Sequence, residues 1–276
     1  MWKTLKQFFR RPTKNLSSKQ NKMEEKSTVE LHLDRQVQTD IFEREDKDNY
    51  DYGFAHRSLS DQEILLLDLN SYSGYIRQAT LERLVGKFEP ELFPRLLNRL
   101  SDYVLINRQL AVDHLLRWSG DPEFSKLCVL HFLEIATLAK RERTDQTALN
   151  LILEKIAKNQ KGLRNTLTQQ QGQLPRVLLN FIIEYQWIEN SQLLELCKTA
   201  KDQKVRGYWL ADIILKQPNH ELMAELKQTD FREVKYRLFD VLYRRNVLDN
   251  NDLVELWHSR FLSVMDYAYF ALRQNN

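Results

Sequence analysis

One apolar pattern returns in this sequence at intervals close to thirty residues, and that period narrows the fold more than any other feature. "RQATLERLV" begins at Arg77 and "RQLAVDHLL" at Arg108. Both read basic, Gln, two residues, apolar, acid, one residue, two apolar. With the arginine as anchor, apolar residues fall four, seven and eight places later, which is one face of a helix. They are Leu81, Leu84 and Val85 in the first copy, and Val112, Leu115 and Leu116 in the second. Asp145 anchors Leu149, Ile152 and Leu153; Pro175 anchors Leu179, Ile182 and Ile183; Arg206 anchors Leu210, Ile213 and Ile214. Lys235 anchors Phe239, Leu242 and Tyr243, and Met265 anchors Tyr269, Leu272 and, weakly, Arg273. The anchors stand 31, 37, 30, 31, 29 and 30 residues apart. Amphipathic spacing is common in helical proteins, but a near-constant period across six intervals marks a repeat array.

Another helix is expected ahead of each anchor. Examples are "DQEILLLDLN" (61–70), "PELFPRLLNRL" (90–100), "NSQLLELCKTA" (190–200), "NHELMAELK" (219–227) and "NNDLVELWHSR" (250–260). Ser60, Pro90, Asn190, Asn219 and Asn250 stand where such helices start. The 37-residue interval holds the longest first helix, over about 122–140, and the Gln-rich stretch 161–173 has the weakest helical pattern. The expected unit is a helix–turn–helix of about thirty residues repeated about seven times, because one such pair cannot bury its apolar face alone. Composition agrees. Only seven Gly and six Pro leave few tight turns, which disfavours a sandwich, a barrel or a Gly-rich phosphate-binding fold.

Several anchors carry more than periodicity. Ile76-Arg77 with Ala79, Val205-Arg206 with Ala211, and Val234-Lys235 open the second helix with a branched apolar residue and a base. Asn107-Arg108 and Val264-Met265 match in part, whereas Thr144-Asp145 and Leu174-Pro175 depart from the pattern. Over about residues 60–276 the chain resembles the HEAT-like repeat family in its short bacterial form. The resemblance implies an all-α fold: a right-handed α-solenoid of about seven helix-turn-helix HEAT-like repeats at 59–276, with a disordered N-terminal arm at 1–58. It also implies that the second helices line the concave surface. That family hosts scaffolds, adaptors and a few enzymes, so the resemblance speaks to architecture more than to activity. Arg77 itself is expected to be structural, bonding to a neighbouring helix end at a repeat junction.

The arm begins "MWKTLKQFFRRPTKNLSSKQNK", with seven Lys/Arg before the first acid at Glu24. Trp2, Leu5 and Phe9 share one face of a short helix that Pro12 should end, and Phe8 broadens that face. No continuous apolar core follows the charges, so it does not read as a secretory signal. A solvated leader, a membrane-surface or partner-docking helix and an organelle presequence all remain open. Residues 23–58 are polar and include the acidic run "EREDKDNYD" at 43–51. No stretch approaches the roughly 18 apolar residues of a membrane span. Cys128 and Cys197 lie in apolar helical segments without a CxxC and read as reduced core thiols.

Positions one, five and nine after each anchor share a stripe roughly opposite the buried one. In the first four copies it holds Gln78, Glu82 and Gly86; Gln109, Asp113 and Arg117; Gln146, Asn150 and Glu154; Arg176, Asn180 and Glu184. The last three give Gly207, Ala211 and Leu215; Tyr236, Asp240 and Arg244; Asp266, Phe270 and Gln274. The early copies are polar except for Gly86, while the late ones mix in aromatic and aliphatic residues. Six acids on this stripe outnumber three bases. A groove that tracks phosphates needs surplus Lys and Arg, so the balance argues against generic DNA or RNA wrapping and favours a protein partner with a basic surface. Candidate contacts are the polar residues from Glu82 to Glu184, together with Tyr236, Asp240 and Arg244.

Catalytic motifs do not surface. The six histidines (His32, His56, His114, His131, His220, His258) form no HExxH and no zinc-type pairing with cysteine, and GxSxG, GxxxxGK[ST] and GxGxxG are absent. No metal and no cofactor are expected. "DFREVKYRLFDVLYRRN" (230–246) interleaves Arg232, Lys235, Arg237, Arg244 and Arg245 with Tyr236, Phe239 and Tyr243. Such interleaving can bind nucleic acid, but Phe239 and Tyr243 already belong to the buried template. Trp118, Trp187, Trp209 and Trp257, with Asp113 on the stripe, keep a DNA-glycosylase-like enzyme in view as the rival class; core or rim positions suit these tryptophans better. The expected role is non-catalytic binding of another protein, a toxin or a complex subunit. Its specific form is a bacterial immunity or antitoxin-type protein that covers a toxin's active site, with an adaptor or assembly chaperone as the alternative. The expected location is cytoplasmic, with peripheral contact to the inner membrane face through the arm.

Overall fold

The computed structural model describes residues 60–84 and 88–275. The arm with Trp2, Leu5, Phe8 and Phe9, the histidines His32 and His56, and Val85 and Gly86 lie outside the described residues. Fifteen α-helices and one 3-10 turn (Pro90–Leu92) make up the described chain, with no strand among those residues. They are α1 (Asp61–Asp68), α2 (Gly74–Arg83), α3 (Phe93–Arg99), α4 (Leu105–Trp118), α5 (Phe124–Leu130), α6 (Phe132–Leu138), α7 (Gln146–Lys158) and α8 (Gln160–Gln169). The remainder are α9 (Gln173–Tyr185), α10 (Asn190–Thr199), α11 (Gln203–Lys216), α12 (Asn219–Gln228), α13 (Arg232–Arg244), α14 (Asn250–Trp257) and α15 (Leu262–Asn275).

Seven helix pairs follow from this order. α1 packs on α2, α3 on α4, α5 on α7, α8 on α9, α10 on α11, α12 on α13 and α14 on α15. The second helices also pack in series, α2–α4–α7 and then α9–α11–α13–α15. Each helix therefore buries one stripe against its own pair and its neighbours, as stacked repeats must. The resulting core holds Leu81, Leu97, Leu115, Ile152, Leu178, Ile182, Leu238 and Phe239, all fully enclosed. Burying one such side chain contributes about 1.5–3 kcal/mol.

Two segments differ from expectation. The single long helix expected over 122–140 is two helices, parted at His131, whose φ of −96° and ψ of 27° leave the helical region. The bend lets each half find its own partner. Phe124 of α5 meets Phe93 edge-on at 5.6 Å, and Phe132 of α6 meets Phe181 of α9 at 5.0 Å. α6 thus takes the main contact with α9 on the side where α7 would continue the row. The Gln-rich segment does form a helix, α8, which buries Leu163, Thr166 and Leu167 and is capped by the Asn159 side chain on the Gly162 N–H. At the other starts, Ser60 makes a reciprocal capping box with Glu63, and Asp249 makes one with Asp252. Asn190, Asn219 and Asn250 are the first helical residues rather than caps, which are Glu189, Pro218 and Asp249.

The buried template holds in copies three to six, where Leu149, Ile152, Leu153, Leu179, Ile182, Leu210, Ile213, Phe239 and Leu242 are buried. It is off by one residue in two places. Leu116 is 44% exposed, and α4 instead buries Asn107, Ala111, His114, Leu115 and Trp118. Tyr269 is 47% exposed and Arg273 is exposed, while Val264, Ala268 and Ala271 are buried. In both helices the inward face begins one residue before the assigned anchor. Helical spacing alone tolerates that slip, because two adjacent positions lie only about a quarter-turn apart.

Arg77 takes the structural place expected of it. Its guanidinium donates to the Ser71 and Tyr72 carbonyls at 2.6 and 3.0 Å, and to both oxygens of Asp102 at 2.8 Å. Asp102 stands just ahead of α4, so the bond spans two successive pairs. The pair is nearly sealed, with side chains 3% and 1% exposed. Close packing at the same place leaves Gly74 no room for a side chain: a Cβ there would lie 2.8 Å from Val104 Cγ2. The arrangement recurs. Arg176 of α9 pairs with Asp202 ahead of α11 at 2.9 Å, and Arg206 of α11 pairs with Glu233 of α13. Arg108 and Arg206 also bond to the carbonyl six residues back, as Arg77 does.

Burial works against the charge of Asp202, yet the Arg176 guanidinium and the N–H groups of Gly172, Val205 and Lys204 outweigh it and lower its pKa to about 2. Gly172 reaches it from φ 99°, a conformation that favours glycine. A folded pKa below the unfolded one stabilises the protein above the unfolded value, near pH 4, and that contribution is lost as pH falls toward 2. It is worth about 2 kcal/mol at neutral pH. Urea unfolding of Asp202→Asn should show a loss of that order at pH 7 and a flatter stability curve than wild type between pH 4 and 2. Parallel curves would contradict the assignment. Arg77→Ala, which leaves the Asp102 carboxylate with Arg99 as its one ion-pair partner among the described residues, is expected to lower unfolding stability by about 3 kcal/mol.

Candidate functional site

Most of the expected stripe does face outward. Glu82, Gln109, Asp113, Arg117, Gln146, Asn150, Glu154, Asn180, Glu184, Tyr236 and Arg244 are all exposed. Arg176 is half-buried, its guanidinium committed to Asp202. Asp240 is the clear exception. It is buried, because its position on α13 is covered where α15 packs, and it accepts from Arg237 at 3.1 Å, Arg244 at 2.8 Å and the Tyr267 hydroxyl at 3.2 Å. It is an internal tie and not a free acid. Burial, and then the Asp240 carboxylate, raise the pKa of Tyr267 and keep that phenol protonated. Among the other stripe acids, Glu154 pairs with Lys158 and Glu82 accepts from Gln78. The stripe is also not one continuous strip, since α6 interrupts the row between α7 and α9.

The structure gathers the late copies into a concave site. α11, α13 and α15 stack side by side, and the first turns of all three border an open cleft of about 920 Å³. Gly207 and Leu210 on α11 line it on one side, and Tyr267 and Phe270 on α15 line it on the other. Tyr236, 42% exposed, stands between them and tilts against Tyr267 at 5.7 Å. Phe270 is 55% exposed. Arg232 and Arg237 of α13 complete the rim, with Glu233 and Asp266 as the acids. Glu233 is taken by Arg206, whose guanidinium also lies 3.8 Å over the Phe231 ring. A Cβ built on Gly207 meets nothing within 4 Å, so the missing side chain leaves open space on the α11 side of the cleft.

Part of this site was visible in the sequence. Gly207, Tyr236, Asp266 and Phe270 lie on the outward stripe, and Arg232 and Arg237 belong to the basic–aromatic segment. Phe239 is buried and Tyr243 half-buried, as the template requires. Tyr267 and Leu210 are additions that only helix stacking brings to the cleft. Gly207 was the available signal: a glycine inside a helical pattern, in a chain poor in glycine, suggests a site kept clear of side chains.

Elsewhere the described residues offer little chemistry. No three His, Cys, Asp or Glu among them are grouped to hold a metal ion. His114 is buried with Nε2 2.7 Å from the Leu81 carbonyl, and burial lowers its pKa and keeps it neutral. Trp118 and Trp209 are core residues, Trp187 is half-buried and Trp257 lies at the surface. No helix among the described residues is long and apolar enough to cross a membrane. Cys128 and Cys197 are free and buried. Burial raises both thiol pKa values, that of Cys197 to about 12. Neither thiol should react with a disulfide reagent in the native protein at pH 8, and both should react in urea. Fast labelling without denaturant would contradict the packing.

No protein-family model, curated protein or solved structure matches this chain.

Proposed function

We propose that this chain is a non-catalytic HEAT-like scaffold, a right-handed solenoid whose second-helix face captures a segment of another protein, anchored in the cleft between α11, α13 and α15. The observation that carries the reading is the cleft itself: exposed Tyr236 and Phe270 share it with Gly207 on three successive second helices. Exposed aromatic rings in a concave, rigid setting are what binding sites use as anchors, since two torsions are all they must freeze on binding. Packing does not account for the openness at Gly207, where a larger residue would be accommodated and would favour the helix. Of the polar stripe, the part on α9 adjoins the anchor, and α6 separates it from the part on α2, α4 and α7. Neutralising a toxin, bridging two subunits and holding an assembly intermediate all need this same step of capture.

Gly207→Phe separates the site from the fold. A Cβ at this position meets no neighbour within 4 Å, the added ring occupies cleft space, and Phe is the better helix former. Dodecapeptides selected from a random displayed library on the wild-type chain should bind this variant roughly tenfold or more weakly, a difference of about 1.4 kcal/mol, at an unchanged Tm. Equal binding to both proteins, or no enrichment over a blank surface, would overturn the reading.

A further inference from the structure

We infer that the cleft takes an acidic segment, one in which an apolar or aromatic anchor is flanked by carboxylates. The inference rests on the reading of the cleft as a protein-binding site and names the chemistry of its occupant.

Charge around the cleft does not balance. Arg206 and Glu233 cancel as a pair at the base of the site. Arg237 and Arg244 share one buried carboxylate, Asp240, while their own side chains are 59% and 74% exposed. One negative charge thus serves two guanidiniums, and each keeps N–H donors turned to water. Arg232 is exposed and makes no ion pair among the described residues. Asp266 is the one acid on the cleft without such a partner. Arg232, without an ion pair, and Arg237, which shares the single charge of Asp240 with Arg244, therefore stand at the cleft with Asp266 as the one unpaired acid.

The fold gives no reason for Arg232. It is the first residue of α13, where the helix macrodipole disfavours a cation and favours an acid. A base at that position, lining the same cleft as exposed Tyr236 and Phe270, is explained by what it meets. A guanidinium donates two parallel hydrogen bonds to a carboxylate, and the rings beside it can pack against an apolar side chain. A segment carrying both groups close together satisfies both halves of the cleft.

The other occupants fit less well. A basic segment would suit the acids Glu82, Asp113, Glu154 and Glu184, but these stand on α2, α4, α7 and α9 and none lines the cleft. Single-stranded nucleic acid also uses arginine and aromatic rings. It needs a row of cations along its phosphates, and here Glu233 and Asp266 interrupt the row.

The test reads the composition of the dodecapeptides selected on the wild-type chain. Asp and Glu next to Leu, Met, Phe or Trp should be enriched over the input library. The tightest peptide should lose roughly tenfold in affinity on Arg232→Glu and retain most of it on Arg232→Lys. Arg232→Glu is safe for folding, since it puts an acid at an exposed helix start and should leave Tm unchanged or raised. Enriched peptides that are basic or uncharged, yet still lost on Gly207→Phe, would overturn the acidic occupant and leave the cleft as a binding site. Peptides indifferent to Gly207→Phe would remove the site and this inference together. Displacement of the selected peptide by an oligothymidylate, absent in Gly207→Phe, would overturn it in favour of nucleic acid.

Discussion

Each helix pair in this array is completed by the next, and the junction between them is where the structure is decided. At three of these junctions a guanidinium from one second helix meets a carboxylate at the start of the next: Arg77 with Asp102, Arg176 with Asp202, Arg206 with Glu233. Enclosing the Arg77–Asp102 pair costs several kcal/mol per ion in desolvation. The cost is offset only because nearly every donor and acceptor is used: Arg77 also holds two carbonyls of its own linker, and Asp102 also holds Arg99 and the Val104 N–H. Free energy of folding comes chiefly from the leucine-rich stripes on either side. The ionic tie adds direction, since apolar stripes alone could slide along one another.

Regular stacking is also what creates the cleft. Where the second helices follow one another without interruption, positions about thirty residues apart in the chain come to lie side by side. α11, α13 and α15 are such a run. In the middle of the chain the bend at His131 sends α6 against α9, and the row is broken. The outward face is therefore two surfaces of different character. The early helices carry exposed acids and amides; the late ones carry arginines and rings along an open cleft. Internal pairing deepens that contrast, because Asp240, an acid by composition, is withdrawn into the core by Arg237, Arg244 and Tyr267.

Period and amphipathicity are local properties, and the sequence by itself determined them: an all-helical chain, pairs of about thirty residues, the stripes of copies three to six, and an outward face that is exposed at nearly every expected position. Arg77 was legible as a junction residue because a base opening an apolar helix has few other uses. Tertiary structure alone decided three further matters. It set the inward faces of α4 and α15 one residue from the assigned anchors, since a helix can rotate by a fraction of a turn to suit its neighbours. It split the helix over 122–140, since Phe124 and Phe132 have different partners. It brought Leu210 and Tyr267 into one cleft with the stripe residues Gly207, Tyr236 and Phe270, because that proximity depends on the order in which whole helices stack.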